Sequence, residues 1–162
     1  MNKAKMLFIG VILISLGTAQ LMDYLVYLHI PENTALELFS FLELRHIRNH
    51  GGVFGIMQGN GWIFTGFAIV AMLVLIGYML YAPTMAYYKY VLYALIAGGA
   101  ISNILDRFIY GSVIDYINVM GIPYWHYIFN TADSLIHIGL WPLIIMSFVE
   151  DYRHKKTGKS PG

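Results

Sequence analysis

Four aspartates stand in or beside long apolar runs: Asp23, Asp106, Asp115 and Asp133. An ionisable group at membrane depth is costly, which makes each of them a functional candidate. Asn49, Asn103, Asn130 and Arg107 accompany them. An asparagine side chain needs several hydrogen-bond partners, so three near one depth imply a shared polar pocket. Two carboxylates close together cannot both ionise easily, and the pair holds a single proton. One can then act as base on a water while its neighbour acts as acid. That is the chemistry of aspartyl peptide hydrolysis. Spacing alone does not say which two would pair. Structural roles stay open as well. Asp106-Arg107 could be an ion pair at a helix end, and Asp133 could favour the first turn of a helix through its negative charge.

The elements that position these residues are set by composition. The chain has 162 residues, 58% hydrophobic and 12% charged. Soluble domains carry about 25% charged residues, so the chain reads as an integral membrane protein of one domain. Aromatic residues make up 15%, enough to furnish two membrane interfaces. A net charge of +1 leaves no nucleic-acid footprint. The absence of cysteine excludes disulfides, thiolate metal sites, a cysteine nucleophile and lipid attachment on cysteine.

A bilayer core about 30 Å thick needs about 20 apolar helical residues. Four runs meet this, giving expected spans over 6–28, 62–82, 88–106 and 131–149. The first run resembles a cleavable signal peptide, with Lys3, Lys5 and the small residues Gly17-Thr18-Ala19. Its apolar continuation past Ala19 favours a retained span. Asp133 lies 16 residues before Val149, about 24 Å away along a helix, near the outer edge of the hydrocarbon. Lysine and arginine mark the cytoplasmic side. Seven of them fall on one side of a four-span layout: Lys3, Lys5, Lys89, Arg153, Lys155, Lys156 and Lys159. Arg45, Arg48 and Arg107 fall on the other. Both termini and a basic tail over 150–162 are therefore expected in the cytoplasm. Loops over 31–61 and 107–130, and the aspartate site, are expected outside. Pro31-Glu32-Asn33 starts the first loop as a turn, and Phe41 to Ile47 alternates like a strand. The fold class expected is an all-α membrane protein with four transmembrane helices and a small β-containing outer loop region. Thr157 to Gly162 read as disordered.

The remaining polar residues are less informative. His46 and His50 are four apart but lack the glutamate of a zinc-helix motif, and no third ligand is suggested. His126 and His137 read as interface or packing residues. Tyr124-Trp125-His126-Tyr127 reads as an aromatic belt.

Three stretches taken together resemble the lipoprotein signal peptidase (signal peptidase II) family. Asn49-His50-Gly51-Gly52-Val53-Phe54-Gly55 is similar to the family's N-x-G-x-x-F-G. Gly98 to Arg107, followed by Gly111-Ser112-Val113-Ile114-Asp115-Tyr116, is similar to G-G-A-x-G-N-x-x-D-R-x-x-x-G-x-V-x-D-F. Phe129 to Ile136 is similar to F-N-x-A-D-x-x-I. The resemblance implies a membrane aspartic endopeptidase that cuts diacylglyceryl-modified prolipoproteins before the lipid-bearing cysteine. It implies Asp115 and Asp133 as the catalytic dyad. It places Asn49, Gly51, Asn103, Arg107, Asn130, Ala132 and Asp23 in the substrate-binding or supporting shell. No metal or cofactor is implied. The expected partners are the prolipoprotein and membrane lipid, with the chain acting as a monomer in the bacterial cytoplasmic membrane. Departures are visible. The family's first-span motif D-x-x-[ST]-K begins at Asp23, but Val26 and Tyr27 occupy the hydroxyl and lysine positions. Ser102 stands where glycine is usual, and Tyr116 where phenylalanine is usual. The alternative this leaves is an altered paralogue that holds lipidated peptides without cutting them. A proton-coupled transporter fits less well, because the aspartates cluster toward one face.

Overall fold

The computed structural model describes residues 2–52 and 56–157. Val53, Phe54 and Gly55 of the first motif, and tail residues 158–162 including Lys159, lie outside the described residues. Among the described residues four helices carry the chain: α1 (Lys3–His29), α2 (Gly61–Tyr81), α3 (Tyr87–Ile109) and α4 (Thr131–Thr157). All four are long and apolar enough to cross a membrane. Asn2 caps α1, its side chain accepting from the Lys5 amide at 2.9 Å. Pro83 follows α2 and prevents its continuation into α3. The boundaries differ from the expected spans by more than one residue at three places, the first being α1, which begins at Lys3. α3 continues through Asp106 and Arg107 to Ile109, putting both in its last turn. α4 runs through the charged residues 150–157, whose Glu, Arg and Lys residues favour helix.

Small residues put α3 at the centre. Ala94, Ala97, Gly98, Gly99 and Ser102 are all buried, and small residues let membrane helices approach closely. A Cβ at Gly98 would stand 2.6 Å from Ser15 Cβ on α1. One at Gly99 would collide with the Ala132 carbonyl of α4 and lie 2.9 Å from Ile136 Cγ1. α3 is thus wedged between α1 and α4. On its remaining side Tyr90, Ala94 and Ala97 pack with Met72 and Met79 of α2 and with Ala4 and Phe8 of α1.

Beyond the helix ends lies one four-stranded antiparallel sheet, in the order β1 (Ala35–Phe39), β2 (Leu42–Asn49), β3 (Val113–Val119) and β4 (Ile128–Phe129). The β1–β2 hairpin agrees with the alternation over Phe41 to Ile47. β3 and β4 add two strands from a segment read as loop. The register sets Ile47 opposite Asp115 and Asn49 opposite Val113. Side chains alternate across a strand, so Asn49 and Asp115 share a face. Ile114 and Tyr116 point the other way and pack on Val26 of α1 and on Ile30 just past its end. His46 Nδ1 adds a 2.7 Å hydrogen bond to the Ile30 carbonyl.

Candidate active site

Burying Ile114 and Tyr116 turns Asp115 toward the helix ends. Helices hold the strand on both sides of it. The Ile114 amide donates to Asp106 Oδ2 at 3.0 Å. The Tyr116 hydroxyl sits 2.6 Å from Thr131 Oγ1 and accepts from the Thr131 amide at 3.2 Å. Asp115 is 5% exposed. Its Oδ2 accepts from Asn49 Nδ2 at 3.0 Å and its Oδ1 from Asn130 Nδ2 at 3.2 Å. Asn49 is itself oriented, its Oδ1 accepting from the Gly51 amide at 2.9 Å. Arg107 Nη2 donates to the Gly51 carbonyl at 2.5 Å. A side chain at Gly51 would meet the Ile56 carbonyl oxygen at 2.5 Å, so this turn closes only on glycine.

Asp133 occupies the first turn of α4. Its Oδ1 accepts from Asn103 Nδ2 at 2.8 Å, and its Oδ2 from the Tyr127 hydroxyl at 3.0 Å. Asn130 caps that turn, its Oδ1 accepting from the Asp133 amide at 2.8 Å. Asn130 Nδ2 also reaches Asn103 Oδ1 at 2.9 Å. An unbroken path of hydrogen bonds therefore runs from Asp115 through Asn130 and Asn103 to Asp133. Burial, and then the charge of Asp133, push the Asp115 carboxyl well above the usual carboxylate range. Burial and Asp133 likewise raise the Tyr127 phenol, so it remains a donor. Two cavities meet here, sharing Asn49, Asp115 and Tyr127. The outer one, about 550 Å³, runs beneath Tyr124, Trp125 and His126. The inner one, about 260 Å³, lies between α2, α3 and α4 and is walled by Phe64, Ala68, Ala100, Ile104 and Ile136. Such a pair can polarise a water between one protonated and one ionised carboxyl, with an apolar and a mixed groove on either side.

A family profile described as signal peptidase (SPase) II matches residues 7–149. The chain belongs to the signal peptidase II family. A lipoprotein signal peptidase of Halalkalibacterium halodurans is 33% identical over 159 residues, covering 96% of this chain and 99% of that protein. One from Vibrio cholerae is 33% identical over 129 residues, covering 77% and 73%. One from Desulfitobacterium hafniense is 34% identical over 117 residues, covering 72% and 76%. A bacterial membrane enzyme solved by the in meso method at 2.3 Å resolution superposes with a TM-score of 0.80 at 27% identity, covering 91% and 90%. Family membership makes this a protease of lipoprotein maturation, held by four helices in the bacterial inner membrane.

Within this signal peptidase II chain, Asn49, Gly51, Asn103, Arg107 and Asn130 gather around Asp115 and Asp133 as described. Ala132 is fully buried, its carbonyl against Gly99. Asp23 is also fully buried but stands behind the pair, its Oδ2 accepting from Ser102 Oγ at 3.4 Å. Asp106 and Arg107 do not form the ion pair that their adjacency suggests. Asp106 takes Gln20 Nε2 at 2.7 Å and the Ile114 amide, while Arg107 turns to Gly51. Neighbours on a helix point about 100° apart and find different partners. Ser102, standing for the usual glycine, gives the buried Asp23 a donor. At the family's lysine position the Tyr27 ring packs on Tyr110, centroids 4.9 Å apart, and on His46 at 6.3 Å. Among the described residues no cation pairs with Asp23. Gln20 and Tyr127 were not singled out from the sequence as site residues. Gln20 looks like an isolated polar residue in a span, and its helical depth opposite Ser102 was the available signal. In the sequence Tyr127 belongs to the aromatic belt, and its place three residues before Asn130 is the signal that points to the site.

Proposed function

We propose that the chain is a membrane aspartic endopeptidase that removes the signal peptide from diacylglyceryl-modified prolipoproteins, cutting before the lipid-bearing cysteine. The observation that carries the reading is the hydrogen-bonded path joining Asp115 to Asp133 where the two cavities meet. A single proton on such a pair allows acid and base to act together. One carboxylate takes a proton from water as the water attacks the scissile carbonyl, and the other protonates the carbonyl oxygen. The departing amine receives its proton from the pair as the C–N bond breaks. Family relatives carry the name lipoprotein signal peptidase, which supports this substrate class. The inner cavity's apolar walls suit the acyl chains or the signal-peptide segment next to the cut. The outer cavity suits the chain that follows the cysteine. Arg107 and Asn49 order the Gly51 turn above the pair. In this reading the site faces the extracytoplasmic side, both termini are cytoplasmic, and a monomer suffices.

The test is cleavage of a diacylglyceryl-modified prolipoprotein by purified protein, followed by gel mobility and mass. Wild type is expected to cut before the modified cysteine. Asp115→Asn and Asp133→Asn should each lose at least about a thousandfold in rate, the scale expected when an essential member of a catalytic pair is removed. Normal cleavage by either variant would sink the dyad. Binding without cleavage by a folded wild type would favour a holding protein, with Tyr27→Lys the first variant to make.

A further inference from the structure

We propose that Tyr127 is a positioning residue that makes the two carboxyls unequal, holding Asp133 as the base and leaving Asp115 as the acid. The inference deepens the peptidase reading and rests on it for the identity of the reaction. Each carboxyl receives two side-chain donors, but of different kinds. Asp115 is served by two amides with other acceptors to serve. Asn49 Nδ2 also reaches the Gly52 carbonyl at 3.3 Å, and Asn130 Nδ2 is shared with Asn103 Oδ1 and the Ile114 carbonyl. Asp133 has Asn103 on one oxygen and a phenol O–H on the other. A hydroxyl donating to an ionised acceptor makes one of the stronger protein hydrogen bonds and favours the charged form. The first turn of α4 adds the helix N-terminal dipole on the same side.

The phenol is held in place for this task. Its ring stacks on Phe129, centroids 5.8 Å apart and planes at 21°. It meets Trp125 edge-on at 6.1 Å. Both rings flank Tyr127 in sequence, so the β3–β4 loop delivers the hydroxyl as a unit. The titratable groups around the pair are Asp106 and Arg107 from α3, Asp23 behind it on α1, Arg48 from β2 and the two carboxyls themselves. His126 lines the outer cavity beside them. Arg107 is engaged by Gly51, and Asp106 disfavours a second negative charge at Asp115. Burial already drives Asp115 toward its protonated form.

The roles then follow. Asp133 takes the water proton as the new C–O bond forms, and Asp115 gives its proton to the carbonyl oxygen. On collapse Asp133 returns its proton to the amine nitrogen as the C–N bond breaks. Asp115 regains one from the gem-diol hydroxyl.

Tyr127→Phe keeps the ring and its stacking and removes the hydroxyl. With full-length protein and a diacylglyceryl-modified prolipoprotein, kcat should fall about tenfold while KM stays within about twofold. The acid limb of the rate–pH profile should move up by about one pH unit. A fall in kcat with an unmoved profile would mean that Tyr127 merely shapes the loop, and the proposal would be overturned. Wild-type kinetics would overturn it equally. Infrared titration of the carboxyl bands, assigned with Asp115→Asn and Asp133→Asn, reads the same midpoint without turnover. If no variant or wild type cleaves but the Tyr127→Phe midpoint rises, the peptidase reading fails and the role of Tyr127 stands. An unmoved midpoint defeats the role of Tyr127 whatever the enzyme does.

Discussion

Asp115 is packed between two asparagine amides and faces a second carboxylate, with almost no contact with water. Its ionisation therefore works against the fold that holds it. Because its folded-state pKa is raised, folding favours the protonated form. The stabilisation is complete below the ordinary carboxyl value of 3.8 and is lost as pH rises toward the raised value. Asparagine at this position keeps an acceptor for Asn49 or Asn130 and cannot ionise. Asp115→Asn is thus expected to melt several degrees above wild type at neutral pH, with the gap closing as pH falls toward 4. Thermal unfolding in detergent across a pH series measures it. A gap that persists unchanged at low pH would mean that it does not arise from the ionisation of Asp115. The same substitution that removes activity should therefore stabilise the protein, a trade found where a site is held in a costly state.

At the scale of elements, the site exists because α3 lies within van der Waals reach of both α1 and α4. Gly99 meets the Ala132 carbonyl, one residue before Asp133 and two after Asn130. Backbone cannot yield as a flexible side chain would. Gly99→Ala should push the start of α4 outward and cost about 1–3 kcal/mol of stability, as overpacking does. It should also lower kcat beyond what the lost folded fraction explains. Gly10→Ala, where a Cβ meets nothing within 4 Å, should leave cleavage unchanged and so separates packing from helix propensity. Unaltered turnover in folded Gly99→Ala would show that the α3–α4 spacing does not set the pair. The same elements mark what the chain's sequence reveals. The four helices were legible because each needs about 20 apolar residues, a pattern few other structures produce. The β1–β2 hairpin was legible through alternation around Glu43 and Arg45. β3 was not, since Val113 to Tyr116 is buried on both faces and buried strands lose their period-two signature. The aspartates and asparagines stood out by their cost in lipid, and three motifs in order singled out Asp115 and Asp133. What escaped was contact that depends on strand register or loop path. Asp106 on the Ile114 amide and Tyr127 on Asp133 both arise that way.

At the scale of the whole molecule, the helices gather the candidate site at one end of the bundle, beside the sheet. Which side of the membrane that end faces decides what substrate can reach it. The positive charge count favours the outside for the sheet and the inside for Lys89 and the basic tail. The chain contains no cysteine, so a single introduced thiol reports its own location without background. Ser40, in the β1–β2 turn, and Thr84, between α2 and α3, are both exposed. With an impermeant maleimide on intact spheroplasts, Ser40→Cys should be labelled at once. Thr84→Cys should react only after the membrane is opened. The two positions lie at opposite ends of the same helices, so the pair of results must be complementary if the bundle spans as drawn. The reverse pattern would put Asp115 and Asp133 at the cytoplasmic face. It would then cut them off from any lipidated chain emerging on the outer surface. Labelling of both positions from outside would break the four-span arrangement itself, because α2 would no longer separate the sheet from the Lys89 turn.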